Sequence, residues 1–310
     1  MVNNNSLTVQ EVFNSWIETK TKKVKLSTIS NYYNILNKHF LSVFSKRFID
    51  YIDEEEISDF IQQLQLSTKT RYDIATAINS MCKFAYEEQL TNKYHHIDRV
   101  KVDTEEIEIF TEQEIERLES YLYANLNCIN VTLLLALYTG VRIGEACALK
   151  WENIDLSKGI IHIKKTLQRI KNYDESIHQK TVIIIDEPKS KKSIRDIPIP
   201  DFFIPALRQF KTKENCYLLT GNVKYIEPRT LQRQFEKVLN TARIEYKNFH
   251  VLRHTFATDC YNKGMSIKVL SELLGHSSVS FTEARYVHTN INIKRQELNN
   301  SYKNKVFWAY

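Results

Sequence analysis

The sequence predicts a mainly α-helical protein with a small antiparallel β-sheet, divided into two domains. Glycine and proline are scarce, at 6 and 5 in 310 residues, which favours helices over a turn-rich β fold. Apolar residues recur at helical spacing along most of the chain, and strand-like runs occur only between residues 160 and 199. The length fits two domains. A linker over residues 91–110 places the domains at 1–103 and 104–310.

Four helices are predicted in residues 7–90. The first follows a capping box, Thr8-Val-Gln-Glu11, whose threonine and glutamate satisfy free N–H groups at a helix start. The second begins near Ser27, the third follows the acidic turn Asp53–Glu56, and the fourth begins near Ser67. Each carries apolar residues three or four positions apart, so we expect them to pack as one compact four-helix domain.

The second domain is predicted to mix helices with a few strands. A second capping box, Thr111-Glu-Gln-Glu114, opens it, and the helix near Asn127–Tyr138 is apolar almost all round, which is typical of a buried helix. Further helices are predicted over residues 201–213, from Pro228 onward and over residues 291–303. Three short segments rich in branched residues predict strands: Ile160–Lys165, Val182–Glu187 and Ile194–Ile199.

Composition and net charge limit the cellular compartment and the kinds of partner that the protein can have. The net charge of +6 is compatible with nucleic-acid binding, and all of the excess lies beyond residue 103. Five scattered cysteines without a Cys-x-x-Cys pair are typical of a reducing compartment. The chain starts with polar residues unlike a signal peptide, and its longest apolar run, Val131–Tyr138, is far short of the ~20 residues of a membrane span. We therefore expect a cytoplasmic protein without a membrane segment.

Residues 250–286 bring together side chains that can act on a phosphodiester. His250 and Arg253 are three apart in a helical pattern, so they project from one face. Gly264 fits the end of that helix, a second short helix stops at Gly275, and His276 follows; Tyr286 comes ten residues later. Arginine can hold two phosphate oxygens, histidine can move a proton near neutral pH, and tyrosine can attack phosphorus.

A second motif surrounds Arg142. This arginine comes directly after the buried helix and the turn at Thr139-Gly140, where solvent is poorly accessible. A buried cation requires an anion. Glu145 could satisfy it structurally, and a bound phosphate could satisfy it functionally.

These two motifs resemble those of the tyrosine recombinases, the phage-integrase family. The family pattern of His-x-x-Arg, Leu-Gly-His and a tyrosine stands here as His250-Val-Leu-Arg253, Leu274-Gly275-His276 and Tyr286, and Thr-Gly-x-Arg-x-x-Glu stands at residues 139–145. The resemblance covers nearly the whole chain. It implies an N-terminal core-binding (SAM-like) domain and an α+β catalytic domain, in a layout nearer to Xer-type recombinases and simple integrases or invertases than to integrases with an extra arm-binding domain.

The resemblance also implies an activity, that of a site-specific DNA recombinase. Such an enzyme cuts and rejoins DNA through a 3′-phosphotyrosine intermediate and a Holliday junction, without metal, ATP or another cofactor. The matching catalytic residues are Arg142, Lys189, His250, Arg253, His276 and Tyr286.

The resemblance assigns each of these residues a role. Tyr286 would be the nucleophile, and the two arginines would hold the non-bridging oxygens. His250 would take the tyrosine proton, and His276 would hydrogen-bond the phosphate. Lys189, on the turn between the last two predicted strands, would be the general acid toward the 5′ oxygen. Lys191 and Lys192 lie close enough in the sequence to remain alternatives.

The family analogy also predicts the partners, which are double-stranded DNA and three further copies of the chain. Basic residues that would face DNA are Lys22, Lys23, Lys25, Lys69, Arg71, Arg229 and Arg233. A solvated charged face would explain any single lysine equally well. The apolar tail at residues 291–310 would dock on a neighbouring protomer of a tetramer, as in the family, or else fold back on its own domain.

Two other classes of protein share single features with this sequence. His250 and His254 are spaced as in zinc-binding helices, which would favour a metal-dependent nuclease, but Arg253 between them would oppose a divalent cation. A DNA-binding regulator without catalysis is disfavoured because no catalytic position is substituted. Neither the target sequence nor the choice among integration, excision, inversion and dimer resolution follows from the sequence.

Overall fold

The computed structural model describes residues 6–102, 107–172, 180–187 and 191–286. These residues form two compact units. The first lies within Met1–Glu106 and Ile170–Val182, and the second within Ile107–Arg169 and Ile183–Tyr310. Helices dominate both, which confirms the predicted fold class.

The first unit contains the four helical stretches that the sequence predicts. They are α1 (Val9–Thr21), α2 (Leu26–Ile35) continuing through a π-helical turn (Leu36–Phe40) into α3 (Leu41–Phe44), α4 (Glu54–Gln63) and α5 (Thr68–Glu87). The predicted caps form: Thr8 and Glu11 make the capping box, and the side chains of Asp53 and Ser67 accept backbone N–H bonds at the starts of α4 and α5.

One apolar core holds this unit together. Its largest members are aromatic side chains that are almost completely buried, Phe13, Trp16, Phe40 and Phe44. Part of the predicted linker also packs on this core. Asn79 exchanges two hydrogen bonds of 2.7 Å with the backbone of Ile97, and His95 is buried with its Nε2 2.9 Å from the carbonyl oxygen of Ile49. The segment up to residue 97 is therefore an integral part of the unit.

The remaining described elements include eight α-helices and five short strands, and they belong to the second unit except that the strands at 166–171 and 181–186 extend into residues 170–182 of the first. In chain order they are α6 (Glu112–Ala124), α7 (Cys128–Thr139), α8 (Ile143–Ala148), β1 (Ile154–Asp155), β2 (Ile160–Ile163), β3 (Thr166–Lys171), β4 (Thr181–Asp186), β5 (Arg195–Pro198), α9 (Ile204–Arg208), α10 (Pro228–Thr241), α11 (His250–Asn262), α12 (Ile267–Leu274) and α13 (Val279–Tyr286). The predicted helix at 201–213 is shorter than expected, and the predicted helix at 291–303 lies outside the described residues.

The strands on either side of the turn that carries Lys189, Lys191 and Lys192 belong to different sheets. β2 pairs antiparallel with both β1 and β5, with Ile161 opposite Ile197, while β4 belongs to a separate two-stranded sheet with β3. The two strands that flank the lysine turn therefore do not pair with each other. The sequence analysis missed β3, because its Thr166–Lys171 segment has only two apolar residues, Leu167 and Ile170, and they do not alternate regularly with the polar ones.

Helix α7 is the centre of the second core, as its uniform apolarity predicts. Nine of its twelve residues are buried, and it ends at Gly140, whose φ of +65° is left-handed. A Cβ at Gly140 would lie only 2.6 Å from Cδ1 of Phe256 on α11. The glycine thus allows α11 to approach the turn that leads into Arg142.

Candidate active site

Arg142 lies at the start of α8 and is held by a buried carboxylate. Its Nη1 donates to Oε1 of Glu145 at 2.8 Å, and its Nη2 donates to the carbonyl oxygen of Gly275 at 3.2 Å. Glu145 is 2% exposed and also receives two hydrogen bonds, of 2.9 and 3.0 Å, from the guanidinium of Arg195 on β5. One third of the Arg142 side chain remains exposed, so its charge is oriented but still accessible.

Arg253 lies on α11 and is 1% exposed. Its Nη1 donates to the carbonyl oxygen of Gly140 at 2.7 Å, and its Nη2 donates to that of Leu274 at 2.6 Å. Burial, and then the charge of Arg142, lower the pKa of Arg253 to about 9, which leaves it protonated at neutral pH. The two motifs found in the sequence therefore meet here, because Arg253 connects the end of α7 with the end of α12.

His276 follows the left-handed Gly275 that ends α12. Its Nε2 lies 3.0 Å from Nη2 of Arg253, and its Nδ1 lies 2.7 Å from Oγ1 of Thr282. Arginine has only donors, so Nε2 of His276 accepts a hydrogen bond from Arg253, and Nδ1 carries the ring proton and donates a hydrogen bond to the hydroxyl oxygen of Thr282. This pair of partners fixes both the tautomer and the direction of the ring.

Tyr286 is the last described residue of α13 and is 4% exposed. Its ring packs among Ala257, Leu270 and Leu274, and it is parallel to the ring of His276 with 6.3 Å between centroids. The hydroxyl oxygen lies 2.8 Å from Nδ1 of His254. The phenol thus adjoins the arginine and histidine cluster.

His250 reaches the surface at the start of α11 and lies edge to face against His254, with 4.5 Å between centroids. Loss of hydration, and then the charges of Arg253 and Arg142, lower the pKa of His250 to about 4. Burial and the same two arginines lower the pKa of His276 to about 3. Both imidazoles are therefore neutral at pH 7, and His250 is in the form that can accept a proton.

Burial dominates the ionisation of the tyrosine. It raises the pKa of Tyr286 above the usual value, although the nearby charges of Arg253, Arg285 and Arg142 act in the opposite direction. The phenol is therefore protonated at neutral pH. An attack by this oxygen requires a base and further stabilisation of the phenolate.

Comparison with known proteins identifies the family to which this arrangement belongs. Residues 108–292, more than half of the chain, match the model of the phage integrase family, and residues 8–65 match that of the phage integrase N-terminal SAM-like domain. The chain belongs to the phage integrase family. The predictions of a tyrosine recombinase, of an N-terminal SAM-like domain and of a site-specific recombinase enzyme are confirmed.

Individual relatives agree with this membership. A tyrosine recombinase XerC-like protein of Caldanaerobacter subterraneus subsp. tengcongensis is 34% identical over 218 residues, which cover 64% of this chain and 54% of that protein. The Tn1549 transposon integrase, solved in complex with a circular intermediate DNA, superimposes with a TM-score of 0.78 at 20% identity over 96% of this chain and 100% of the solved one. A lambda integrase tetramer bound to a Holliday junction gives a TM-score of 0.66 at 17% identity over 93% and 80%.

The catalytic lysine that the family resemblance predicts lies on the segment before β5. Lys189 lies outside the described residues, as does the apolar tail at 291–310. Lys191 and Lys192 fall in a short 3₁₀ turn before β5, and Nζ of Lys192 donates to the carbonyl oxygen of Ser277 at 2.8 Å. This turn therefore lies beside His276, and the choice among the three lysines stays a prediction.

The predicted DNA-contact residues are exposed or partly exposed. Lys22, Lys23, Lys69, Arg229 and Arg233 are exposed, and Lys25 is partly exposed at the start of α2. Within the first unit, Lys22 pairs with Glu18 at 3.5 Å and Lys69 with Asp73 at 2.6 Å, and Arg71 is partly buried with its Nη1 donating to the carbonyl oxygen of Gln62.

Arg195 is a site residue that the sequence analysis missed. Ile197 on β5 and Ile199 just after it are both buried, so the alternation of the strand also turns position 195 inward. An inward arginine requires a buried anion, and that pattern would have pointed to Glu145. A Cβ on Gly275 would lie 2.9 Å from Cδ of Arg195, so the same arginine also packs under the turn that carries His276.

Neither a metal site nor a membrane-spanning helix is found in the part of the chain that the structure describes. Among residues 6–102, 107–172, 180–187 and 191–286, no group of three or more His, Cys, Asp or Glu side chains is arranged to hold a metal ion. Within the same ranges, no helix is long and apolar enough to cross a membrane.

Proposed function

We propose that this protein is a site-specific DNA recombinase that breaks and rejoins DNA through a covalent bond to Tyr286. The observation that carries the proposal is the cluster in which Arg142, Arg253 and His276 meet next to the phenol. Arg253 contacts His276, Arg142 contacts Gly275 beside it, and the ring of Tyr286 lies parallel to that of His276. Two fixed cations beside a nucleophile match the needs of an anionic phosphodiester.

The chemistry follows from this cluster. Arg142 and Arg253 bind the non-bridging oxygens of the scissile phosphate. His276 hydrogen-bonds the same group once its ring proton moves from Nδ1 to Nε2, the nitrogen that faces Arg253 in the structure. His250 accepts the phenol proton, the phenolate oxygen forms a bond to phosphorus, and the bond to the 5′ oxygen breaks. Lys189 gives that oxygen a proton. The resulting 3′-phosphotyrosine ester conserves the energy of the broken bond, so religation needs neither metal nor ATP.

Exchange between two duplexes requires four such cleavages, and we propose that four copies of the chain assemble on DNA through a Holliday junction. The tetrameric assembly of lambda integrase on such a junction supports this stoichiometry. Residues 1–103 form the core-binding DNA-binding domain and residues 104–310 form the catalytic domain. DNA contacts come from Lys22, Lys23, Lys25, Lys69, Arg71, Arg229 and Arg233.

A trapping assay tests the covalent step. The substrate is duplex DNA from the regions that flank the coding sequence of the protein, nicked so that a cleaved end diffuses away. Wild-type protein should form a denaturation-resistant adduct, and Tyr286→Phe should bind the DNA but form none. Tyr261→Phe, at a partly buried tyrosine on α11, is the matched control and should retain the adduct. An adduct with Tyr286→Phe would assign the nucleophile to another residue.

The same assay tests metal independence and the general acid. Cleavage should persist in excess chelator, and activity that disappears in chelator and returns with Mg²⁺ or Zn²⁺ would contradict the mechanism. Lys189→Ala should be slow on normal DNA but rescued by sulfur at the bridging 5′ position, because a thiolate leaves without a proton. Rescue confined to Lys191→Ala or Lys192→Ala would move the role to that lysine.

A further inference from the structure

The hydroxyl of Tyr286 has a partner that the mechanism above does not use. Nδ1 of His254 lies 2.8 Å from the phenol oxygen, and both residues are buried, at 6% and 4% exposure. His254 follows Arg253 on α11, so the helix that holds the phosphate-binding cation also holds the tyrosine oxygen. A short contact between two buried polar groups is a strong constraint on the position of the phenol.

The second nitrogen of His254 determines which atom donates in this bond. Nε2 lies 3.4 Å from Nη2 of Arg285, the residue before the tyrosine. A guanidinium has only donors, so Nε2 must accept. In a neutral imidazole the proton is then on Nδ1, which donates to the phenol oxygen. This tautomer stabilises a negative charge on that oxygen and cannot remove its proton.

We propose that His254 is a positioning residue whose Nδ1–H group holds the phenol oxygen of Tyr286 and stabilises the phenolate that attacks phosphorus. The inference rests on the proposed function, because it takes Tyr286 as the nucleophile. The proton balance is unchanged: the phenol proton passes to His250, the new bond joins the phenol oxygen to phosphorus, and the 5′ oxygen leaves with a proton. His254 keeps its own proton throughout.

The surrounding charges are consistent with a neutral donor at this position. His250 and Arg253 face it from α11, Arg285 from α13, and burial together with these groups lowers the pKa of His254 to about 3. The charge of Arg142, from the start of α8, also acts on the phenol. An imidazole that stays uncharged above about pH 4 donates one hydrogen bond over the whole range in which the enzyme is assayed.

Two amide substitutions of His254 place an N–H donor near the former positions of different imidazole nitrogens. The amide nitrogen of asparagine reaches the position of Nδ1, whereas that of glutamine reaches toward Nε2 and Arg285. We expect His254→Asn to cleave within a few-fold of wild type. His254→Gln and His254→Leu should cleave on the order of 10- to 100-fold more slowly, as for loss of a hydrogen bond to a charged group. Binding to the same DNA should be unchanged in all three variants.

The pH dependence separates phenolate stabilisation from a general loss of structure. Without the donor the pKa of the phenol rises, so the increase in adduct formation with pH should move to higher pH in His254→Gln and His254→Leu but not in His254→Asn. Replacing Tyr286 with a more acidic fluorotyrosine should restore most of the rate in His254→Gln. A merely structural role of the histidine would leave the pH profile in place and the fluorotyrosine without effect.

The outcomes distinguish this inference from the proposed function. If wild type forms no adduct, or Tyr286→Phe still forms one, the proposed function fails. If those two controls behave as expected and His254→Gln matches wild type, or cleaves faster, then His254 does not assist the phenolate and the inference is overturned. If His254→Leu does not fold, the comparison of His254→Asn with His254→Gln still tests whether His254 assists the phenolate.

Discussion

Glu145 offers the sharpest quantitative test of the site, because one buried carboxylate holds two arginines. It accepts hydrogen bonds from the backbone N–H and Nη1 of Arg142 and from both terminal nitrogens of Arg195, at 2.8 to 3.0 Å. Burial alone would raise the pKa of this carboxyl, but the bonds and charges of Arg195 and Arg142 outweigh it and lower the pKa to about 2. Glu145→Gln removes the charge while keeping the shape.

The expected loss of stability is about 3 kcal/mol at pH 7. A lowering of the pKa from 4.5 to about 2 corresponds to that free energy. It agrees with the roughly 3–5 kcal/mol for breaking a buried ion pair by removing one partner. Because the folded-state pKa lies below the unfolded one, the stabilisation is complete above about pH 4.5 and is lost as the pH falls toward 2. The difference between wild type and variant should shrink over the same range.

Thermal unfolding of the full chain at pH 7 and at pH 3 measures this difference. For a unit of this size, about 3 kcal/mol lowers the Tm by roughly 6–12 °C. Glu116→Gln, at an exposed glutamate on α6, is the matched control and should change the Tm by little at either pH. A loss below about 1 kcal/mol, or an equal loss at both pH values, would refute the assignment of Glu145 as the charged partner of the two arginines.

Three further outcomes are expected. Gly140→Ala should lower the free energy of unfolding by about 2 kcal/mol in calorimetry, because of the positive φ and the close Phe256 ring; a change below about 0.5 kcal/mol would contradict this. Arg229→Ala and Arg233→Ala should each reduce the salt dependence of DNA binding by about one counterion, and an unchanged slope would exclude a phosphate contact. Deleting residues 291–310 should leave monomeric DNA binding intact but abolish synapsis, as measured by the size of the DNA complexes; a truncated chain that still assembles four copies and recombines would show that the tail has no role in assembly.

Local signals in the sequence were sufficient to predict the helices and most of the residues of the candidate active site. The caps at Thr8, Asp53, Ser67 and Thr111 act within three residues along the chain, so the helix starts could be predicted without any knowledge of packing. The glycine at position 140 adopts its left-handed conformation for an equally local reason. The catalytic motifs were recognisable because their residue types stand at fixed spacings.

Contacts between distant residues were decided only by the tertiary structure. Arg195 meets Glu145 across 50 positions of sequence, and Tyr286 meets His254 across 32, so no local pattern specified either pair. The pairing of β4 with β3 rather than β5 is of the same kind, since the branched residues of these strands suit more than one neighbour. Sequence by itself determined which chemical groups the site contains; packing determined which of them touch, because burial forces each charged or polar group to find a partner wherever the fold supplies one.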